Sequence, residues 1–337
     1  MLISYNWLAS YMENPENMPT PEVLADIFTM RAFEIESMEK KGDDTIYDIK
    51  ILPDRSPYAY GMRYVALELT LRVPELIIKP KYTEYMQTHI DVSSIPRSVD
   101  TTLIDTCAQD MCSLYTLTYV EGLHNGSSPQ EVVERLHALG QQSRGTIVDA
   151  TNLSMYDTGQ PLHAFDADKI DGSIRVTVLD VDTEVTILGG KKIHLKQGTL
   201  VIRDDVDVLA IAGVKGCVKA EVTAETKNIY LESASFDRTI VRKTSRSLDL
   251  INDSSKRFEQ GVTHERPLLA LQTFVEHMQE IVPTCTVHAT KVSKDIVEIC
   301  AEEKRTKIEV NVHRCVQLVD DSDHTLHAKC IHFLEQI

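Results

Sequence analysis

A histidine at position 163 is the side chain in this sequence best placed to do acid–base chemistry. It ends the run Gly159-Gln160-Pro161-Leu162-His163, and glycine and proline so close together predict a constrained turn that presents the imidazole. An imidazole titrates near neutral pH, so His163 could act as a general base or orient a substrate amine. On this run alone, a histidine bonded to the backbone beside Phe165 is the favoured alternative.

A glycine-containing turn is the second candidate element. The run Ala212-Gly213-Val214-Lys215-Gly216-Cys217 follows directly after an apolar strand. Glycine permits positive φ angles and a close backbone approach, so the N–H groups around Gly213 and Gly216 could meet a ligand. Ordinary turns have the same composition, so the signal depends on what lies beside the turn.

Two polar segments further along the chain could complete a site. Glu232 lies on the opposite face of its predicted strand from Ile229 and Leu231, so its carboxyl group either lines a pocket or is exposed to solvent. The run Asn252-Asp253-Ser254-Ser255 is polar, with a loop or a helix cap as the alternative interpretation. Together with His163 and the glycine turn, Glu232 predicts a site for a small ligand, with hydrolysis as one chemistry that it could perform.

The charge of the chain limits how it could bind nucleic acid. The 337 residues carry a formal net charge of −16, whereas binding through the whole surface needs a basic protein. A local exception is the basic stripe: Arg238, Arg242 and Arg246 recur every four residues with Lys243 beside them, on one side of a predicted helix. This stripe either contacts phosphates or is an ordinary solvated helix face.

Cysteine usage and hydropathy argue against several other classes of protein. The seven cysteines include no CxxC pair and no Cys/His set with zinc spacing, so we expect reduced thiols and no metal site. No apolar run approaches the roughly 20 residues of a transmembrane helix, and the N-terminus lacks the pattern of a signal peptide. We therefore expect a cytoplasmic protein that does not enter a membrane.

Helix and strand signals place these residues in an α+β protein. Thr20 before Pro21 predicts the start of a helix, and Ser128-Pro129-Gln130-Glu131 predicts a capping box at the start of another. Apolar residues that follow Pro267 repeat at helical spacing. Alternation of apolar and polar residues predicts strands at 33–36, 47–51, 175–179, 185–188, 199–203, 208–211 and 228–233.

The same signals predict a multidomain organisation. Residues 1–75 form a small N-terminal α+β domain, and residues 76–105, which have no sustained period, form a connection. Residues 106–295 form a larger mixed α/β domain with mostly antiparallel sheets. Residues 296–337 start a third domain that we expect to be incomplete.

These motifs, in this order, resemble the β subunit of bacterial phenylalanyl-tRNA synthetases. Val148–Asn152 and then Thr158–Asp166 are similar to the VDxTN and GQPxHAFD motifs of that family, and eleven or so matching residues at fixed spacing make this the most specific likeness. Ala212–Cys217 is similar to the family's GGxxGG, Asn228–Glu232 to NxxLE, and Asn252–Val262 to TDAsxRFExGV. The resemblance covers essentially the whole chain.

The sequence also departs from the family pattern. The OB-fold tRNA-binding insert expected after about residue 40 is absent, as are the catalytic-like and anticodon-binding domains expected after residue 337, which predicts a fragment or a truncated product. Asn252 occupies a position where the family has threonine, and Ser254 one where it has alanine. Both positions line the editing pocket of the family.

The resemblance implies an α2β2 ligase that charges tRNA(Phe). Its α subunit makes Phe-tRNA with ATP and Mg²⁺, no cofactor is expected in this chain, and the editing domain, here residues 106–295, hydrolyses Tyr-tRNA formed in error. An apolar pocket rejects an added hydroxyl only about a hundredfold, so a second pocket that hydrogen-bonds the hydroxyl improves discrimination. Glu232, with the N–H groups around Gly213 and Gly216, would read that hydroxyl.

The resemblance also implies roles for the remaining candidates. His163 and Asn152 would hold the aminoacyl end and the attacking water, and we expect His163 and Glu232 to face one cleft. The basic stripe would contact tRNA phosphates near the mouth of that cleft. The residues expected to contact the substrate are Thr151, Gly213, Gly216, Asn252 and Ser254.

Two other functions stay open. One is a scaffold that binds the α subunit or tRNA but has an inactive pocket; Asn252 and Ser254 favour it, whereas His163 and Glu232 oppose it. The other is a free-standing trans-editing hydrolase, which would explain the absent domains. It is disfavoured because residues 301–337 look interrupted.

Overall fold

A computed structural model describes residues 1–82 and 96–295, together with the positions 309–312, 314, 328 and 331. The predicted third domain at 296–337 therefore lies almost entirely outside the described residues. The described part of the chain has an α+β fold with mostly antiparallel sheets, as the sequence predicts. None of its helices is both long enough and apolar enough to cross a membrane.

The N-terminal part is a three-stranded antiparallel sheet with helices packed on it. The strands β1 (Leu2–Ser4), β2 (Glu34–Lys41) and β3 (Asp44–Lys50) pair in the order β1-β3-β2. As predicted, the Thr20 hydroxyl caps a helix that begins at Pro21. The helices are α1 (Tyr5–Ser10), α2 (Pro21–Arg31), α3 (Ser56–Ala59) and α4 (Met62–Thr70).

A mixed sheet forms the centre of the described fold. Its strand order is β4-β15-β5-β13-β6, with β14 also paired to β5. Only β13 was predicted among these strands. The long strand β5 is buried along most of its length, so it lacks the alternation that marks a half-buried strand. The strands are β4 (Arg97–Val99), β5 (Cys112–Glu121), β6 (Leu162–Asp166), β13 (Ile229–Phe236), β14 (Thr286–Val287) and β15 (Thr290–Val292).

A second, antiparallel sheet packs beside the central one. Its order is β12-β11-β10-β7, and a separate hairpin of β8 and β9 turns through Gly189 and Gly190, both at positive φ. The predicted strands in this region all exist, with ends shifted by one or two residues. They are β7 (Arg175–Val178), β8 (Thr183–Thr186), β9 (Lys192–Leu195), β10 (Leu200–Arg203), β11 (Val208–Ile211) and β12 (Lys215–Gly216).

Five further helices surround the sheets within residues 96–295. They are α5 (Gln130–Ala138), α6 (Thr146–Thr158), α7 (Arg238–Ser247), α8 (Asp253–Gln260) and α9 (Arg266–Ile281). The capping box predicted at Ser128 is wrong. The buried Asp149 carboxylate accepts a hydrogen bond from the Ser128 hydroxyl at 2.6 Å, so that hydroxyl does not cap α5, and Pro129 stands at the N-cap.

The two faces of the central sheet contact different parts of the molecule. On one face, Ile229 and Leu231 pack in a core with residues of α6 and α9. On the other face, Phe165 and Phe236 pack in a core with the second sheet and with helices α7 and α8. His163 and Phe236, with side chains on this second face, lie against the glycine turn that follows β11.

Candidate functional site

His163 and Glu232 lie directly opposite each other on paired strands. The register of β6 and β13 aligns His163 with Glu232, and residues opposite each other in an antiparallel pair project from the same face. That face is the one that points toward the second sheet, because Phe165 and Phe236 share it. The two strongest candidates from the sequence are thus brought together.

The carboxyl group of Glu232 is buried without a full set of partners. The residue is 6% exposed, and its Oε2 atom forms no hydrogen bond with any described residue. Burial raises the pKa of Glu232 to about 8, because a desolvated carboxylate is unfavourable. At pH 7 the carboxyl group is therefore mostly protonated.

The imidazole of His163 is half-buried and neutral. Its ring packs edge-on against Phe165 with the centroids 4.7 Å apart. Burial and, next, the positive charge of Lys215 lower the pKa of His163 to about 4. The imidazole forms no hydrogen bond with the residues that the structure describes, so the alternative of a backbone-bonded histidine is wrong.

Gly216 forms one wall of the space around the imidazole. A Cβ atom at this position would lie 2.5 Å from Cε1 and 2.7 Å from Nε2 of His163. These distances are shorter than any normal contact, so only glycine lets β12 approach the ring this closely. The structure therefore places Gly216 together with His163 and Glu232.

Gly213 is explained by packing and by the turn itself. Its φ is +69°, and a Cβ atom would lie 2.9 Å from Val241 and 3.1 Å from Phe258. The turn sets the positive φ, and the steric requirement comes from the apolar core, where α7 and α8 pack against the turn. The role of Gly213 in substrate binding stays a prediction.

Asn252 and Ser254 hold the glycine turn in place. The Asn252 amide nitrogen donates to the carbonyl of Val214 at 2.7 Å, while its oxygen caps α8 by accepting from the N–H of Ser255. The Ser254 hydroxyl donates to the carbonyl of Gly213 at 3.5 Å. The helix-cap alternative is thus correct for Asn252, and both side chains bind backbone in this structure.

The side chains of Thr151 and Asn152 form no hydrogen bond with His163 or Glu232 in the described structure. The Thr151 hydroxyl donates within α6 to the carbonyl of Val148 at 2.7 Å. The side chain of Asn152 is half-buried and forms no hydrogen bond within the described part of the chain. Their helix packs on the opposite face of the sheet, with Ile229 and Leu231. Their roles at the aminoacyl end stay predictions.

Comparison with known families identifies the central part of the chain. Residues 111–283, just over half of the sequence, match the family model described as the B3/4 domain. The chain belongs to the B3/4 domain family. All of the candidate residues named above lie inside the matched range, so the His163–Glu232 pair lies within the B3/4 domain of this chain.

Curated relatives of this B3/4 protein are named phenylalanine–tRNA ligase beta subunit. The protein of Dehalococcoides mccartyi is 40% identical over 172 residues, covering 51% of this chain and 21% of its own length. That of Syntrophus aciditrophicus is 32% identical over 274 residues, covering 79% of this chain and 31% of its own. The predicted resemblance is confirmed, and the chain spans less than one third of the length of these relatives.

A solved structure is also similar to this chain. It is an N-terminal fragment of the phenylalanyl-tRNA synthetase beta subunit from Pyrococcus horikoshii, which matches with a TM-score of 0.42 and 14% identity. The match covers 87% of this chain and 74% of that fragment.

The basic stripe lies on the outer side of a helix that covers the glycine turn of the B3/4 domain. Its four residues are on α7 and are all exposed, as the spacing predicts. On the inner side of the helix, Val241 packs against Gly213. Arg246 lies 3.6 Å from the carboxylate of Glu259, so part of its charge is compensated.

Two residues near the His163–Glu232 pair have no role predicted from the sequence. One is Lys215 in the glycine turn, although a cation next to two glycines can indicate a binding site for a ligand. Tyr115 lies on β5, the buried strand that has no alternation, and its side chain shares the face of Glu232. Its position could be found only from the strand register.

The raised pKa of Glu232 predicts a pH-dependent stability. The folded protein keeps a proton up to about pH 8, whereas the unfolded chain loses it near pH 4.5. The free energy of unfolding should therefore fall between these values, by up to about 1.4 kcal/mol per pH unit. The lowered pKa of His163 has the opposite effect, but only between about pH 4 and 6.5.

Between pH 6.5 and 8, the stability change expected from Glu232 is separated from the one expected from His163. Chemical unfolding of the wild type and of Glu232→Gln across this window should give a stability difference that shifts in favour of the variant as pH rises. Parallel pH profiles would show that Glu232 is already ionised in the folded protein.

Proposed function

We propose that this chain is part of a phenylalanine–tRNA ligase β subunit and that its B3/4 domain hydrolyses mischarged Tyr-tRNA(Phe). The observation that carries the proposal is the buried, unpartnered Oε2 atom of Glu232 directly opposite the neutral, half-exposed imidazole of His163. A buried polar atom without a partner costs free energy. A ligand that brings a hydrogen-bond donor into the protein at this point recovers that cost.

The chemistry of the two side chains supports separate roles for Glu232 and His163. A phenol hydroxyl can donate to Glu232, whereas the phenyl ring of phenylalanine leaves the carboxyl group desolvated and unpaired. Hydrolysis breaks the ester bond between the amino acid and the terminal ribose by attack of water on the carbonyl carbon. The low pKa of His163 makes it a weak base at pH 7, so we assign it to orienting the water or the aminoacyl end.

The ligase that contains this chain would have an α2β2 composition, with the α subunit and tRNA(Phe) as partners and a cytoplasmic location. ATP and Mg²⁺ belong in this proposal to the aminoacylation centre on the α subunit. Within the described residues of this chain, no group of three or more His, Cys, Asp or Glu side chains is arranged to hold a metal ion.

A deacylation assay tests the proposal. The 337-residue chain is incubated with Tyr-tRNA(Phe) and, in parallel, with Phe-tRNA(Phe), and release of the amino acid is followed over time. We expect hydrolysis of the tyrosyl ester to be the faster of the two. Equal rates with both esters, at the level of the uncatalysed reaction, would contradict the proposed activity.

An editing-inactive scaffold is the second candidate function. It is favoured by the engagement of Asn252 and Ser254 with the carbonyls of the glycine turn, which ties up both side chains. The low exposure of Glu232 also favours it. In this case the chain would bind tRNA or the α subunit but leave Tyr-tRNA(Phe) intact, and the deacylation assay separates the two functions.

The basic stripe predicts a salt-dependent affinity for tRNA. Each phosphate neutralised by a cation releases counterions, so the logarithm of the affinity falls with the logarithm of the salt concentration. The double substitution Arg242→Ala and Arg246→Ala should reduce that slope by about one to two. Filter binding or fluorescence anisotropy with tRNA(Phe) at several salt concentrations measures it.

A control with the same change in charge uses cations on the N-terminal sheet and its helix. Arg31→Ala with Lys40→Ala also removes two exposed positive charges, but at sites remote in sequence from α7. If both double variants give the wild-type slope, the stripe is an ordinary solvated helix face.

A further inference from the structure

Tyr115 provides a second unpartnered polar atom near Glu232. The register of β5 and β13 aligns Tyr115 with Ala234 and Leu117 with Glu232. Tyr115 is therefore a diagonal neighbour of Glu232 on the same face of the sheet. The residue is completely buried, and its hydroxyl forms no hydrogen bond with any residue that the structure describes.

The electrostatic surroundings keep the Tyr115 hydroxyl protonated. Burial and, next, the negative charge that Glu232 can carry raise the pKa of Tyr115 well above its usual value. The hydroxyl is therefore a permanent donor, and the oxygen of Glu232 is an acceptor. Neither of these two atoms forms a hydrogen bond within the described residues, so each is available to a further polar group.

The chemical identity of that group follows from the two requirements. It must accept a hydrogen bond from Tyr115 and donate one to Glu232, which a hydroxyl does with a single oxygen atom. An aromatic C–H does neither. Leaving both buried groups unpaired costs more than leaving one unpaired, so a pair of readers discriminates more sharply than Glu232 alone.

We infer that Tyr115 is a second specificity-determining residue of the proposed editing site, donating to the phenol oxygen of a bound tyrosine while that phenol donates to Glu232. This inference rests on the proposed function, because it assigns the tyrosine side chain to this face of the sheet. Tyr115 has no part in bond breaking, so its removal should alter the choice of amino acid.

Amino-acid probes separate the two hydrogen bonds. L-tyrosine can use both, and L-phenylalanine can use neither. 4-Aminophenylalanine can donate to Glu232, but its aniline nitrogen is a poor acceptor for Tyr115. Their affinities for the 337-residue chain can be measured by calorimetry or by NMR titration, without tRNA and without catalysis.

The isosteric variant Tyr115→Phe should weaken the binding of L-tyrosine about fivefold to tenfold, the effect of one lost hydrogen bond. Binding of 4-aminophenylalanine and L-phenylalanine should stay unchanged. In deacylation, the preference for the tyrosyl over the phenylalanyl ester should fall by a similar factor. Tyr119→Phe is a matched control, because Tyr119 lies on the same strand but packs on Tyr230 and His288.

The outcomes distinguish this inference from the proposed function. If the wild type hydrolyses Tyr-tRNA(Phe) and Tyr115→Phe keeps the full preference, the inference is wrong and the proposed function stands. If the wild type hydrolyses neither ester but binds L-tyrosine in a Tyr115-dependent way, recognition of the tyrosine hydroxyl by Tyr115 is supported and the proposed hydrolysis fails. A lower unfolding midpoint for Tyr115→Phe with unchanged tyrosine binding would make the hydroxyl a structural donor and overturn the inference.

Discussion

Replacing Glu232 with alanine should slow the hydrolysis of Tyr-tRNA(Phe) and reduce the preference for the tyrosyl over the phenylalanyl ester about tenfold to a hundredfold. Glu232 discriminates because phenylalanine leaves its buried carboxyl group unpaired, at a cost of about 1–3 kcal/mol. Without the carboxyl group that penalty disappears, and position 232 no longer distinguishes the two amino acids. Rates of deacylation for the two esters, measured side by side, give the ratio directly.

Glu232→Gln is the informative companion to this variant. Because the pKa of Glu232 is about 8, the neutral amide resembles the form of the side chain that prevails at pH 7. It keeps a carbonyl acceptor, so most of the preference should survive in this variant. If Glu232→Ala keeps the Tyr/Phe ratio while His163→Ala changes it, the two roles are reversed.

Replacing Gly216 with alanine should slow the hydrolysis of both esters about a hundredfold. The new methyl group would lie 2.5 Å from Cε1 of His163, so the imidazole has to move away. A displacement of about 1 Å in a group that positions the substrate can cost this much rate. The Tyr/Phe ratio should stay near the wild-type value, because the carboxyl group of Glu232 is untouched.

The same substitution in a His163→Ala background is the control. Without the imidazole, the methyl group has room, although Leu188 stays close at 3.0 Å. The double variant should therefore be no slower than His163→Ala alone. If Gly216→Ala costs the same factor in both backgrounds, its effect comes from the backbone of β12 and the account of the ring contact is wrong.

The face of Glu232 could be predicted from the sequence, whereas its partners could not. Alternation of Ile229 and Leu231 with Glu232 indicates which side of the strand is polar. The alignment of Glu232 with His163 depends on the pairing of β13 with β6, which joins residues about 70 positions apart in the sequence. Local patterns carry no information on such a register, and only the resemblance brought the two residues together.

The different roles of the two glycines in the turn could not be predicted from the sequence either. From the sequence, Gly213 and Gly216 are equivalent, because either could let the backbone approach a ligand. In the structure Gly213 is required by its positive φ and by Val241 and Phe258, whereas Gly216 is required by His163. The contacts that distinguish the two glycines come from side chains distant in sequence, so composition at the turn could not separate them.

Asn252 has a structural role as a helix cap at a position where the sequence also predicts a contact with substrate. A polar residue before Asp253 and two serines favours a helix cap, and the structure confirms the cap. The contact of Asn252 with the carbonyl of Val214 is tertiary and could not be predicted from spacing. It links the start of α8 to the turn that approaches His163.

The most direct test of the central claim is deacylation of Tyr-tRNA(Phe) and Phe-tRNA(Phe) by the wild-type chain and by Glu232→Ala under identical conditions. We expect the wild type to hydrolyse the tyrosyl ester faster and the variant to lose most of this preference. A wild-type chain that hydrolyses both esters equally well, or a variant that keeps the wild-type ratio, would contradict the assignment of Glu232 as the residue that reads the tyrosine hydroxyl.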